Sequence, residues 1–494
     1  MTARSPSSRE TRIVQRRGAG SSTSPRSRTS TVLASRTFSV VLAVSGIVAL
    51  IVMARLVEHS LSWSLTSQYR HGFQDLKGRL RNLEKLRDTG NIYLPLGGTE
   101  AFTYPPGAIL FFWPLLWLPV KHLTLLWTSV SLVALAATLV AVIDHLFHKS
   151  LLVTVGIACW TAVLSAIVLA PVSECLEWGQ TATILVCLVV VDALVIKGSA
   201  KGVLVGVAAA VKIFPGLIIL FWLVRREWRA AITSLATTAG VTGLASVLWP
   251  ASASTFLFKL LLGGGDYDKF TGVANSLASS SLIAMFERPP FHMNFLHVYG
   301  ELTVVAILVV ATLIGAERLW RHDCHLSALV LILITSVIGS PIVWDHYFAF
   351  APLLFLMPFE LGWKSPLART AIVSGLVMVV PWFLFRQPVG RTWWTATYAF
   401  GARNALLLAC LAVIVASFWQ RSPATNPARS ANSDDGPFPR LPKPEPASVR
   451  GSPGSDRRPA IVAEDHVPDI AATGTPPLAR EPENGERNGD LLEH

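Results

Sequence analysis

Long apolar runs separated by short polar segments fill the chain from residue 38 to residue 419. A helix needs about 20 mostly apolar residues to cross the hydrocarbon layer of a bilayer. The pattern therefore predicts an all-α polytopic membrane protein with about 10 transmembrane helices. The predicted spans are 38–58, 122–147, 151–171, 180–197, 229–249, 297–316, 326–341, 346–361, 367–386 and 399–419.

The short basic segments between these runs predict the orientation, because loops rich in Lys and Arg stay in the cytoplasm. Residues 1–37 form one such segment, which we predict to be a disordered basic cytoplasmic arm. Residues 38–419 would be the multi-pass domain in the cell membrane, with 59–105 as its first outer loop on the periplasmic, extracytoplasmic side. Residues 420–494 are rich in Pro and charge and predict a disordered tail, so both termini would be cytoplasmic.

Two apolar segments do not fit a regular alternation of inner and outer loops. Residues 202–224 lie between two basic segments and contain Lys212 and Pro215 near their middle, and residues 107–120 are interrupted by two prolines. We predict re-entrant or broken helices there, although 202–224 could also cross as one full span. Broken helices at membrane depth occur where they pack on protein or line a cavity, so both segments favour a cavity.

Composition and charge exclude a soluble or nucleic-acid-binding protein. Hydrophobic residues make up 52% of the chain and charged residues only 15%, whereas about 25% is usual for a soluble domain. The net charge is +11, and much of it precedes the first apolar run, where it would contact anionic membrane lipids. The five cysteines and the acidic and histidine residues show no metal-ligand spacing. No metal or cofactor site is predicted, and a requirement for a divalent metal stays open.

The first outer loop holds the most distinctive chemistry. Four leucines recur at helical spacing between Lys and Arg residues from Leu76 to Leu86, which predicts a basic amphipathic helix on the outer membrane surface. Asp75 stands at the start of that helix, where an aspartate can cap the helix or carry chemistry. Later in the loop, two prolines force the preceding Tyr104 into an extended conformation and Gly107 allows close approach, so the chain is predicted to turn back to the membrane.

These motifs, in this order, resemble the actinobacterial polyprenyl-phosphate-dependent enzymes of glycosyltransferase family 87 in the GT-C superfamily. The resemblance covers roughly residues 38–419. It includes a Ser-Pro-x-x-Trp-x-His-His motif, in which Tyr347 replaces the second His, while Lys77 and Gly78 replace the usual Val-Tyr and leave the acceptor open. The matching stretches are Asp75-Leu76, Tyr93, 102–106, 179–181, 210–215, 225–229, 275–277 and 340–347.

The resemblance implies a GT-C-type helical bundle and an inverting glycosyltransferase. Such an enzyme transfers a sugar, mannose in the α-1,2-mannosyltransferase members, from polyprenyl phosphate to a lipid-linked glycan or glycolipid at the outer face. Asp75 matches the acidic position and would be the general base. The leaving phosphate needs cationic or hydrogen-bonding groups, and His346 is the first candidate. The other candidates for binding the donor phosphate or the substrate are Arg70, Lys212, Tyr104, Gln180, Asn275 and Trp344.

Several of these residues also have a purely structural interpretation. His346 could make a hydrogen bond within the protein, Lys212 could extend toward the cytoplasmic side, Asn275 could cap a helix, and Trp344 could belong to an interfacial aromatic belt. For the whole chain, the alternatives are an arabinofuranosyltransferase using polyprenyl-phospho-arabinose, a glycolipid transporter and a noncatalytic scaffold. Transporters often contain paired repeats, and no internal repeat stands out in this sequence.

Overall fold

A computed structural model describes residues 25–64, 73–94, 102–262, 281–282, 285, 299–340, 342–380 and 393–420. The regular elements within these ranges are helices, and the ranges contain no strand. The chain divides into two units, 1–426 and 427–494, and every described residue lies in the first unit. Arg70, Asn275 and the predicted tail beyond residue 420 lie outside the described residues.

The helices vary widely in length, from short single turns to 40 residues. The first nine are α1 (Pro25–Ser64), α2 (Gln74–Thr89), α3 (Gly107–Phe112), α4 (Val120–Phe147), α5 (Leu151–Val168), α6 (Ala170–Trp178), α7 (Ala182–Leu194), α8 (Val203–Val211) and α9 (Leu217–Val224). They are followed by α10 (Trp228–Leu248), α11 (Pro250–Ser254), α12 (Tyr299–Arg321), α13 (His325–Ile338), α14 (Ala351–Leu354), α15 (Met357–Leu361), α16 (Pro366–Val377) and α17 (Trp393–Trp419).

Five of these helices are long and apolar enough to cross a membrane, and α6 with α7 would make six if that pair forms one broken span. The expected number of about 10 spans is therefore not confirmed. Some predicted spans are too short, because α13 has 14 residues and a helix of that length covers only about 21 Å. The five long segments are Arg36–Val57, His122–Phe147, Leu151–Val168, Trp228–Leu248 and Thr303–Arg321.

The observed helices depart from the predicted bounds at three places. The predicted span 346–361 is divided into a 3₁₀ turn, α14 and α15, and Pro352 and Pro358 each remove a backbone donor from that stretch. The stretch 172–179, between the predicted spans 151–171 and 180–197, is helical in α6, which ends at Gly179 with a positive φ of 68°. Helix α1 begins at Pro25 and so includes residues 25–37 of the predicted basic arm.

The two expected breaks are confirmed, and they lie against each other. The segment 202–224 is interrupted at Lys212, whose extended backbone (φ −149°, ψ 135°) separates α8 from a 3₁₀ turn and α9. The segment 107–120 changes from α3 to a 3₁₀ turn that contains Pro114. A Cβ at Gly107 would lie 2.6 Å from the carbonyl oxygen of Ala210, so only glycine allows α3 to approach α8 this closely.

The helices form an apolar bundle around these breaks. α1 packs against α5, α4 against α7, α8 against α10, α12 against α13 and α16 against α17. α13 is enclosed on all sides, since its residues from Leu326 to Ile338 are all buried. Large apolar side chains of α1 and α10, such as Val41, Ile232 and Val247, are exposed, as expected for faces that meet lipid.

Candidate active site

The start of α2 is held against the end of α6. The backbone N–H of Phe73 donates to the carbonyl oxygen of Glu177 at 2.8 Å. A Cβ at Gly179 would lie 2.6 Å from the Phe73 ring and 2.8 Å from Leu76, and Gly179 also has a positive φ. Only glycine therefore permits this contact, which fixes where the first turn of α2 points.

The predicted amphipathic helix is confirmed, but its apolar face packs on protein. Leu76, Leu83 and Leu86 are buried within the core of the chain, whereas Arg81 and Lys85 on the opposite side are exposed. Asp75 lies in the first turn of α2, and the N-cap position is Phe73. Asp75 accepts no hydrogen bond from an α2 backbone N–H within the described ranges, so the capping alternative is not observed.

The two oxygens of the Asp75 carboxylate have different surroundings. Oδ2 accepts a hydrogen bond from Nε2 of Gln180 and lies 3.7 Å from Nη2 of Arg79. Oδ1 has no hydrogen-bond donor in the part of the chain that the structure describes. The Asp75 side chain remains 33% exposed, so the carboxylate is held by the protein through Oδ2 and is still partly accessible.

Arg79 and Gln180 form the buried support behind this carboxylate. Arg79 donates from Nη1 to the carbonyl oxygen of Gly179 at 3.0 Å and from Nη2 to Oε1 of Gln180 at 2.8 Å. The hydroxyl of Tyr104 also donates to Oε1 of Gln180, at 3.4 Å. The guanidinium lies over the Tyr104 ring, 4.9 Å from its centroid, which adds a cation–π contact.

Lys212 brings a second cation to the site from the break between α8 and α9. Its Nζ lies 3.3 Å from the ring centroid of Tyr347, 5.4 Å from that of Tyr104 and 5.5 Å from that of Phe214. The face of an aromatic ring attracts an ammonium group electrostatically, and this attraction does not occupy all three of its N–H donors. Among the described residues Lys212 has no oxygen partner, so its N–H groups are available to an anionic ligand.

Opposing electrostatic effects act on Asp75. Burial raises the pKa of the Asp75 carboxyl above its ordinary value, although Arg79 and Lys212 both act to lower it. A raised pKa makes a carboxylate a stronger base near neutral pH. The site thus combines one carboxylate suited to accepting a proton with two cations suited to stabilising an anion.

The structure brings together four of the candidates named from the sequence, namely Asp75, Tyr104, Gln180 and Lys212. His346 is buried in the 3₁₀ turn 345–348, with its ring centroid 4.9 Å from that of Tyr347, and is therefore one residue removed from the Lys212 contact. Trp344 is half-buried and packs on the apolar core just before that turn. Arg70 and Asn275 lie outside the described ranges.

The sequence ranked Arg79 too low and missed Tyr347. Arg79 is only a weaker candidate for the donor phosphate in the sequence, because a basic amphipathic face could lie on lipid headgroups, but the structure buries it on the same face as Leu76 and Leu83. Its spacing of three and four residues from those leucines was the signal that could have placed it inside. Tyr347 had no comparable signal, since its contact with Lys212 joins two segments distant in sequence.

Within the described ranges, no three His, Cys, Asp or Glu side chains are grouped so as to hold a metal ion. The carboxylate of Asp75 and the cations of Arg79 and Lys212 are suited to acid–base chemistry. A carboxylate base beside two cations can remove a proton from a hydroxyl while an anionic leaving group is stabilised.

Comparison with known proteins confirms the resemblance indicated by the motifs. The sequence profile of glycosyltransferase family 87 matches residues 102–343, which include Tyr104, Gln180 and Lys212. A polyprenol-phosphate-mannose-dependent α-(1-2)-phosphatidylinositol mannoside mannosyltransferase of Mycobacterium tuberculosis is 29% identical over 355 residues, covering 67% of this chain and 81% of the relative. A corresponding pentamannoside mannosyltransferase of Mycolicibacterium smegmatis is 27% identical over 357 residues, covering 68% and 83%. No solved structure matches the chain.

Proposed function

Since this chain is a membrane glycosyltransferase that resembles glycosyltransferase family 87, we propose that it transfers mannose from a polyprenyl-phosphate donor to a lipid-linked glycan. The mycobacterial relatives are named as mannosyltransferases, which favours mannose over arabinofuranose as the sugar. They also favour an acceptor of the phosphatidylinositol mannoside class. The arrangement around Asp75 supports a transfer of this kind.

In the proposed reaction, Asp75 is the general base and its carboxylate accepts the proton of the acceptor hydroxyl. The acceptor oxygen forms a bond to the anomeric carbon of mannose while the bond from that carbon to the phosphate oxygen breaks. Polyprenyl phosphate leaves with the electron pair, and the configuration at the anomeric carbon is inverted. Because a phosphate is already a good leaving group, the demanding step is deprotonation of the acceptor.

We assign stabilisation of the leaving phosphate to Lys212, with Arg79 as a more distant contribution. Positioned cations stabilise the charge that develops on a departing oxygen, and they are most effective where water is excluded. Lys212 has aromatic neighbours but no oxygen partner among the described residues. The observation that carries the proposal is the pairing of Oδ1 of Asp75 with the ammonium group of Lys212, neither of which has a hydrogen-bond partner among the described residues.

We further propose that the reaction takes place at the outer face of the membrane. The basic segments predict that α2 lies in an outer loop, and a polyprenyl-phosphate sugar in the same leaflet would then present its phosphate beside Lys212. The exposed end of α2 provides a test. A cysteine introduced as Asp88→Cys should react in intact cells with a maleimide that does not cross membranes. Labelling only after the cells are permeabilised would contradict the proposed side.

Transfer by the purified protein in nanodiscs tests the catalytic role directly. With polyprenyl-phosphate mannose and a phosphatidylinositol mannoside acceptor, Asp75→Asn should lower kcat by about 100- to 10,000-fold, because the amide cannot take the proton. Asp88→Asn is the matched control, since Asp88 is an exposed aspartate on the same helix. Undiminished transfer by folded Asp75→Asn would remove Asp75 from the mechanism. A preference of the purified protein for polyprenyl-phospho-arabinose would show that the donor sugar is arabinose and not mannose.

A further inference from the structure

We infer that Gln180 is a positioning residue that holds Oδ2 of Asp75, so that Oδ1 is the oxygen that takes the acceptor proton. This inference rests on the proposed role of Asp75 as general base and specifies how the protein prepares it. The sequence motif had placed Gln180 among the substrate-binding candidates. Its contacts instead connect it to the base and to the residues behind the base.

The orientation of the Gln180 amide follows from its partners. A guanidinium group can only donate hydrogen bonds, so the atom of Gln180 that lies 2.8 Å from Nη2 of Arg79 must be the carbonyl oxygen Oε1. The hydroxyl of Tyr104 donates a hydrogen bond to the same oxygen. The amide nitrogen Nε2 therefore faces Asp75, where it donates to Oδ2.

The rest of Gln180 is equally constrained. It lies in the bend between α6 and α7, whose axes differ by 116°. Its backbone N–H donates to the carbonyl oxygen of Cys175 at 2.9 Å, and its own carbonyl accepts from Nε1 of Trp127 at 3.3 Å. The residue is 2% exposed. Gln180 is thus a fixed donor, able to restrict the rotation of a carboxylate that is itself partly exposed.

The side-chain amide of Gln180 lies between Arg79 and Asp75, and it determines how the guanidinium contacts the carboxylate. A guanidinium commonly binds both oxygens of a carboxylate in a bidentate pair, which would occupy the atoms that a base needs. Here Nη2 of Arg79 is 2.8 Å from Gln180 but 3.7 Å from Oδ2 of Asp75. The positive charge stays near the carboxylate while Oδ1 keeps no protein donor within the described ranges.

Changing Gln180 to glutamate should place a second carboxylate beside that of Asp75, and the two carboxylates would then share a proton. Oε1 of the new carboxylate could still accept from Arg79 and Tyr104, but its second oxygen would face Oδ2 of Asp75. Two adjacent carboxylates hold a proton between them to higher pH than either would alone. The turn 113–117 and α3, which also pack against α2, carry no ionisable side chain. Among the described residues, Arg79, Lys212 and Tyr104 interact electrostatically with Asp75, Lys77 follows on α2, and α6 carries Glu174, Cys175 and Glu177.

The test is the pH profile of kcat/KM for mannosyl transfer. Gln180→Glu should move the acidic limb upward by about one pH unit or more, with activity recovering at high pH. Gln180→Met has a similar length but no hydrogen bond, and it should lower kcat by about 10- to 100-fold with little change in the KM for the donor. A merely structural role would lower the folded fraction in both variants and leave the position of the limb unchanged.

The outcomes separate this inference from the proposed function. If Asp75→Asn is inactive while folded Gln180→Glu keeps the wild-type limb, Gln180 does not position the base and only the inference is overturned. If Asp75→Asn retains full activity, the proposed base is wrong irrespective of Gln180. Should Gln180→Glu fail to fold, a wild-type kcat in Gln180→Met would contradict the inference. Thermal melting in detergent micelles reports folding for each variant.

Discussion

Two clusters of charged side chains in this protein carry the same surplus of one positive charge and use it differently. At the candidate active site, Arg79 and Lys212 face the single carboxylate of Asp75. The second cluster, which we call the ion-pair network, has three cations and two carboxylates and joins the segments around α8, α9, α10 and α12. The ion-pair network consists of Lys201, Arg225, Glu227, Glu317 and Arg321.

In the ion-pair network every carboxylate oxygen is engaged. Glu227 accepts from Nε of Arg225 at 2.8 Å through Oε1 and from Lys201 at 2.7 Å through Oε2. Glu317 accepts from Nε of Arg321 at 2.7 Å through Oε1 and from Nη1 of Arg225 at 2.9 Å through Oε2. Arg225 thus links the two carboxylates. No carboxylate oxygen of this cluster is left over for a ligand.

The same physical effects give opposite results for the two kinds of carboxylate. Burial acts to raise the pKa of Glu227, but hydrogen bonds from Lys201 and Arg225 outweigh it and the pKa is lowered. Burial also raises the pKa of Asp75, and there Arg79 and Lys212 lower the pKa by charge alone, without a hydrogen bond, and do not reverse the shift. The difference teaches that a saturated ionic cluster holds helices together, whereas an unsaturated one retains groups that can act on a substrate.

After loss of the base itself, the largest effect in this comparison should come from removing Lys212, the cation without an oxygen partner among the described residues. Lys212→Met keeps a flexible apolar stem in the aromatic surroundings but removes the charge, and should lower kcat/KM for the donor by about 100- to 1,000-fold. Inhibition by added polyprenyl phosphate should weaken in parallel, because the product phosphate loses the same contact. Steady-state transfer assays with and without the product measure both effects.

Lys85→Met is the matched control, because Lys85 is an exposed lysine of α2 on the side opposite the site. It should transfer mannose like the wild type. A Lys212→Met protein that is folded and retains wild-type inhibition by polyprenyl phosphate would assign Lys212 a structural role.

The parts of the site that could be predicted carry their signal in the local sequence. Pro215 marks the break beside Lys212, and Gly107 marks the close approach to α8. The position of Gln180 could not be predicted, because it depends on a bend between two helices that an apolar run does not reveal. Gly179 permits that bend, but a glycine in a sequence does not specify an angle.

The number of spans was overestimated for a related reason. Counting apolar residues detects burial, and it does not distinguish burial in lipid from burial in protein. α13 shows the difference, since its 14 residues read as a span yet are enclosed by other helices. The same ambiguity affected Arg79, whose charge suggested an exposed position although its spacing relative to Leu76 and Leu83 placed it on the buried face.

The smallest effect on catalysis should come from the ion-pair network. Arg225→Gln removes the link between Glu227 and Glu317 and should lower the free energy of unfolding by about 1–3 kcal/mol, because partly buried charges lose their partners. The melting temperature in detergent micelles should fall, while kcat per folded molecule should stay within about twofold of the wild type, since no group of the site is changed. Glu317→Gln should behave in the same way. A loss of kcat larger than the loss of folded protein would show that the two clusters are coupled, and the separation between stabilising and reacting charges would then fail.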